Sequence, residues 1–338
     1  MTRNPPFPDH ITMAAWALTA LTLVLVLLVH LLPALFAGLL VYELVHLASP
    51  YLSARLSGHR AKIVVVALLA AAVVGIVTAA SFAIVVFIQS DPDRPAALLA
   101  QFADMVLRAK ETLPVWIADL LPADHDEVNT TLVGWMRAHA ADLEIAGRDT
   151  GRALIYAILG MIVGAMVALQ GEIERRPLGP LSRALAARAA NLSSAFGRVV
   201  FAQVRISLIN TVFTAIYLVV ILPAFGVDLP LRKTLIVITF VAGLLPVVGN
   251  LISNTFIVIA SLTYSGEMAL LSLAYLVVIH KLEYFLNAKI IGSRIQARAW
   301  ELLVAILAME AVFGVAGVIA APIYYCFIKD ELASRGLV

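Results

Sequence analysis

Cysteine is almost absent from this sequence. Cys326 is the only one in 338 residues, and it lies in an apolar run. That excludes a disulfide framework and a thiolate metal site. Charge is scarce as well: 14% of residues are charged against 62% hydrophobic, a balance no soluble domain of this length needs. There is no Walker A loop, no His-Glu-x-x-His pair and no Gly-x-Ser-x-Gly elbow. The chain therefore reads as a non-enzyme with no cofactor, and its arginines carry no nucleic-acid motif. Without a nucleotide-binding cassette, any active transport has to draw on a gradient. What the sequence does hold is long apolar runs, the mark of an all-α polytopic membrane protein.

In chain order, 11–29 reads as a first span, retained because no small-residue cleavage site follows it. Pro33 precedes a shorter apolar segment at 34–48, and 63–88 is a third. Residues 91–149 then carry eleven Asp/Glu against five Lys/Arg, a net of −6. Leu98, Phe102, Met105 and Val106 recur there at helical spacing, as do Val128, Leu132, Met136 and Leu143. This predicts a small helical insertion of two amphipathic helices, the second opened by an Asp124/Glu127 capping box. A span at 153–169 follows. Residues 171–205 hold six Arg against two Glu, or +4, with one apolar face, as expected of an amphipathic helix lying on the membrane or the bundle. Further apolar stretches occupy 206–222, 235–260, 268–286 and 302–328.

The positive-inside rule puts the basic segments 55–62, 175–205 and 289–298 in the cytoplasm and the acidic insertion outside. Both termini are then cytoplasmic, provided the stretches broken at Pro33, Pro246 and Gly314/Gly317 each return to their starting side. The expected organisation is membrane segments at 1–90, an extracytoplasmic helical domain at 91–149, a membrane segment at 150–170, a cytoplasmic amphipathic helix at 171–205 and a C-terminal membrane domain at 206–338. Ala67, Ala70, Ala71, Ala72 and Gly75 allow close helix approach and, with the 181–202 helix, predict a homo-oligomer.

The stretch 235–260 is the centre of the chain. It is apolar at both ends and interrupted by Pro246 and Gly249, then by the polar set Asn250, Ser253, Asn254 and Thr255. Each apolar arm reaches about 18–20 Å at ~1.5 Å per residue, short of a ~30 Å bilayer core. It is either a re-entrant hairpin or one broken helix. Non-helical backbone at membrane depth survives only where protein buries it or a wet cavity borders it. Helix ends meeting there offer opposite partial charges to a solute or ion; a kinked helix glued to its neighbour fits the same residues. Three further groups carry chemistry. His280, Glu283, Tyr284 and Asn287 place a titratable stripe at a helix end, for proton coupling or, with Lys281 snorkelling to the interface, as a structural ion pair. Glu310 is a lone carboxylate among Ala, Met and Phe, expected to face the interior or a cavity, while Arg298 is the cation nearest Glu301 in sequence. Gly314, Gly317 and Pro322 are candidate hinges. Glu43 and His46 offer half of a metal site at most, and no metal is expected.

The order GLLPVVGNLISN, KIIGSRIQ, FGVAGVIAAPIYY resembles the C-terminal half of the AI-2E (autoinducer-2 exporter) family of bacterial transporters. The early Pro33…Pro50 pattern and the insertion after the third hydrophobic stretch also match. The chain departs at Asn250, near Phe256 and at Ala288, where Pro is common. The resemblance implies about eight membrane segments in the cytoplasmic membrane of a bacterium, and export of a small polar solute related to autoinducer-2 or, alternatively, sodium (cation)/proton exchange. A passive channel or a non-transporting scaffold are the remaining readings.

Overall fold

Leucine, valine and alanine runs without internal proline propagate as helix, and breaks fall where a backbone must turn. The computed structural model describes residues 10–53, 58–89, 124–170, 179–245, 248–291 and 299–337, with isolated positions 104, 107, 108, 110, 111, 119 and 122. The helices are α1 (His10–Leu28), α2 (Leu32–Ser53), α3 (Gly58–Gln89), α4 (His125–Ala138), α5 (Ala140–Gln170), α6 (Pro180–Ile216), α7 (Arg232–Gly243), α8 (Val248–Leu262), α9 (Gly266–Ile291) and α10 (Ala299–Ala333). Among the described residues there is no strand, and five helical stretches are long and apolar enough to cross a membrane. The expected count of about eight segments is not confirmed by the described residues. Contacts divide the chain into two units, Met1–Ala79 with Ala146–Val200 and Ile295–Val338, and Ala80–Ile145 with Phe201–Arg294.

In the first unit, α1 and α2 are joined by a tight turn at His30, three residues before Pro33. His30 has φ 58°. Its N–H donates to Leu27 O and that of Leu31 to Val26 O, a Schellman closure that usually employs glycine. Pro33 sits in the first turn of α2, where a missing N–H costs nothing. The core joins Leu23 and Leu27 of α1, Leu192 and Phe196 of α6, and Ile323 and Phe327 of α10.

α2 and α5 cross with their backbones in contact. A Cβ built on Gly160 would lie 2.0 Å from Ala34 O, and one on Gly164 2.2 Å from Gly38 O. Ala34-x-x-x-Gly38 therefore meets Gly160-x-x-x-Gly164, the small-residue geometry of membrane helix pairs. Gly75, among the small residues expected to serve a homo-oligomer, faces open space in the single chain.

α10 is not one rod. Gly314 has φ 58° and ψ −141°, unfavourable for any residue with a Cβ. Beyond it the chain doubles back, so that a Cβ on Gly317 would sit 2.0 Å from Met309 O. Lys329 Nζ lies 2.7 Å from Glu301 Oε2, whereas 28 residues of straight helix would part them by roughly 42 Å. The 302–328 stretch is thus a helical hairpin buckled at its base by Glu301, Tyr325 and Lys329. Among the described residues Lys329, remote in sequence, pairs with Glu301.

In the second unit, Asp124 Oδ1 accepts from Glu127 N at 2.8 Å, the expected cap of α4. The 128–143 pattern is split by a turn at 139, so Leu143 belongs to α5. α6 runs through residue 205 without interruption, because no Gly or Pro lies between Gly197 and Pro223. Near Pro223, which cannot donate to the ladder, the helix widens into a π-turn, Tyr217–Ile221. The core here joins Tyr217, Leu218 and Leu222 with Leu235, Ile257 and Leu276.

Adding one methyl at the α2–α5 crossing should force the two backbones apart. Gly164→Ala is expected to lose about 1–3 kcal/mol of stability, and Gly75→Ala to stay within about 0.5 kcal/mol of the parent. Unfolding of the purified protein in SDS, followed by circular dichroism, checks this; equal losses would contradict the crossing.

Candidate functional site at a helical hairpin tip

α7 ends at Gly243 and α8 begins five residues later. The last carbonyls of α7 have no partner within their own helix. Two of them are taken by α6: Gln203 Nε2 donates to Gly243 O at 2.7 Å, and Ser207 Oγ to Phe240 O at 2.6 Å. One helical step on, Asn210 Nδ2 donates to Asn250 Oδ1 at 2.9 Å. Gln203, Ser207 and Asn210 stand at i, i+4 and i+7, a single stripe of α6. Ser207 and Asn210 are 1% and 5% exposed.

Glycine makes the seat possible. A Cβ on Gly243 would meet Ser207 Oγ at 2.7 Å, and one on Gly249 would meet Ala242 O at 1.9 Å. Gly249 follows Ala242 by seven residues, so this contact closes α7 onto α8 as a hairpin. At its base, the turn at 228–231 and Thr263–Tyr264 border one pocket of about 430 Å³ with Asp104 and Arg108. Asp228 there pairs with Arg232 at 2.8 Å.

The polar residues expected at the break separate into three roles. Asn250 spans the junction: besides Asn210, its Nδ2 points to Nδ1 of His280 on α9 at 3.3 Å. Ser253 is buried, with Oγ 3.3 Å from Asn250 O, and Thr255 Oγ1 returns to Leu251 O at 2.8 Å. Asn254 is half-buried and, among the described residues, its side chain has no hydrogen-bond partner. Lys281 is exposed beside His280. Pro246, Arg298 and the side chains of Glu283 and Asn287 lie outside the described residues.

Elsewhere, Glu310, expected to face the interior or a cavity, is exposed, flanked by exposed Leu307 and Val312. Pro322 is buried in the second arm of α10. Glu43 accepts from Ser193 of α6. His46 Nδ1 lies 2.8 Å from Tyr42 O, and its ring packs 4.1 Å from that of Tyr42. Among the described residues no three metal-ligating side chains converge.

Asn210 is the residue that sequence reasoning missed. Its signal was present: Gln203, Ser207 and Asn210 recur at helical spacing.

These helices define a helical membrane protein whose second unit holds a broken hairpin seated on a polar stripe. A curated protein of Bacillus subtilis (strain 168), named "Putative transport protein YdbI", is 25% identical over 197 residues, which is 57% of this chain. The match spans 55% of that relative, about half its length. No family model matches the sequence, and no solved structure matches it.

A hydrogen bond between two membrane helices averages about 0.6 kcal/mol, with a maximum near 1.7. Asn210→Leu and Asn250→Leu should each destabilise the protein, and the double variant should cost less than their sum by roughly that amount. Additive losses in thermal unfolding would show that the pair does not form.

Proposed function

We propose that this chain is a gradient-driven transporter of the AI-2E type, in the cytoplasmic membrane of a bacterium, that exports a small polar solute. The observation that carries the reading is the junction of Asn210, Asn250 and His280, contributed by three helices at an interrupted hairpin. Each asparagine offers both a donor and acceptors. A junction at the break places them where unwound backbone meets solute in secondary transporters. Gly249 keeps the tip narrow, and Asn254, Ser253 and Thr255 line the start of α8 behind it. Half-buried Asn254 supplies the free amide, since Asn250 is held by its neighbours. The relative's name supports transport as the class of activity; the AI-2E type and the solute rest on the motifs and on this junction.

The pocket at the hairpin base supports the topology. It brings 228–231 and 263–264 together with Asp104 and Arg108 of the acidic insertion, as expected if the hairpin returns to the extracytoplasmic side.

Exchange of a cation for protons is the second reading, and Glu310 favours it. Nine residues of helix place it about 14 Å along the arm from Glu301, near the middle of a ~30 Å core if that base lies at the membrane surface. A carboxylate on an apolar face at that depth needs a proton, a cation or a partner. Under this reading His280 and Lys281, with Glu283 and Asn287 beyond them, belong to the coupling path.

Purified protein in liposomes separates the two. Asn250→Leu and Asn254→Leu should each lower autoinducer-2 flux per folded molecule at least about tenfold, the loss of roughly 1.4 kcal/mol of binding, while Glu310→Gln leaves it unchanged. Sodium- or proton-driven exchange abolished by Glu310→Gln and indifferent to both asparagines would favour the antiporter. Normal fluxes of both kinds in all three variants would overturn the proposal.

A further inference from the structure

Between α1 and the α10 hairpin of the first unit runs a slot of about 330 Å³. Its walls are hydrocarbon: Leu23, Val24 and Leu27 on one side, Met309, Phe313 and Phe327 on the other. One end is closed by a polar ring. Glu331 accepts from Trp16 Nε1 and from Asn191 Nδ2, each at 2.8 Å, and Arg188 Nη2 lies 3.4 Å from it. Arg188 is only 4% exposed; its Nη1 donates to Ala184 O at 2.7 Å, and its Nε is buried and, among the described residues, has no partner. Arg335 and Arg188 stand over the Trp16 ring, 5.7 and 5.8 Å from its centroid. Among the described residues two guanidinium groups thus face one carboxylate, an excess of one positive charge beside the mouth of an apolar slot.

Length and charge together identify what fits. Trp16 to Leu27 is eleven residues, or about 16 Å of helix, close to half of a ~30 Å hydrocarbon core. Tryptophan beside arginine marks the headgroup level, and basic pockets between membrane helices are suited to anionic headgroups. We infer that this slot holds one acyl chain of an anionic phospholipid, with its phosphate beside Arg335 and Trp16. The occupant completes the polar ring electrically and fills the gap between α1 and the hairpin. The inference rests on the chain lying in a membrane and not on what it transports.

The test is binding, so a failure of the transport reading leaves it intact. Protein in neutral detergent is offered dioleoyl phosphatidylglycerol and dioleoyl phosphatidylcholine at equal concentration, and retained lipid is counted by native mass spectrometry. One favourable cation near the phosphate should give phosphatidylglycerol an advantage of about fivefold. Arg335→Gln, at an exposed position, should erase that advantage, and Val24→Trp, which fills the slot, should lower retention of both lipids. Equal retention of the two lipids by the parent, or no change in either variant, would overturn the assignment. So would displacement of phosphatidylglycerol by equimolar oleate, since a free fatty acid would then be the better occupant.

Discussion

A helix that stops inside a membrane leaves carbonyls with nothing to accept from, and each such group costs several kcal/mol in hydrocarbon. At the end of α7 that debt falls on α6, whose Gln203 and Ser207 reach the carbonyls of Gly243 and Phe240. The rest of the second unit follows from this. The stripe has to be polar, so α6 cannot be wholly apolar there. The hairpin has to lie close, so Gly243 and Gly249 can carry no side chain. Once the tip is seated, Asn250 falls opposite Asn210 and within reach of His280. The same constraint explains why a candidate solute site arises at this break: hydrogen-bonding groups are already gathered where the backbone is open.

Backbone contact without side chains recurs through the chain. Gly160 and Gly164 meet Ala34 and Gly38 across α2 and α5; Gly249 meets Ala242; Gly317 meets Met309. Apolar side chains gain little by leaving lipid for protein, so helices in a bilayer are held by close packing and by hydrogen bonds. Where the two arms belong to one hairpin, a further tie closes the base, as Glu301 and Lys329 do in α10. The fold is thus held by a few close approaches and a few polar ties, with large apolar surfaces left facing outward.

The breaks were legible in the sequence because Pro and Gly announce them: Gly249 and Gly314 fall where the chain turns. Their form was not legible, since an apolar pattern reads alike in a hairpin and in a kinked span; Gly249 against Ala242, Gly317 against Met309 and Lys329 against Glu301 distinguish them. The turn at His30 was hidden because a histidine took the left-handed position that glycine usually marks, and nearby Pro33 drew attention instead. The Asn250 junction was half legible. Its α8 side stood out as a polar cluster, but its α6 side was spread over about two turns that charge had assigned to two different segments. Glu310 was read from its neighbours as facing the interior or a cavity; it is exposed, and an apolar neighbourhood in a membrane helix can equally face outward.

The central claim is that α7 and α8 form a hairpin that enters and leaves on one side. In a Cys326→Ser background, single cysteines at positions 231 and 264, one at each end of the hairpin base, can be probed with an impermeant maleimide in sealed vesicles of known orientation. Both should react from the same face, the one from which a cysteine at position 124 reacts. Labelling of 231 and 264 from opposite faces would make α7 and α8 a single crossing, and would contradict the hairpin and the site built on its tip.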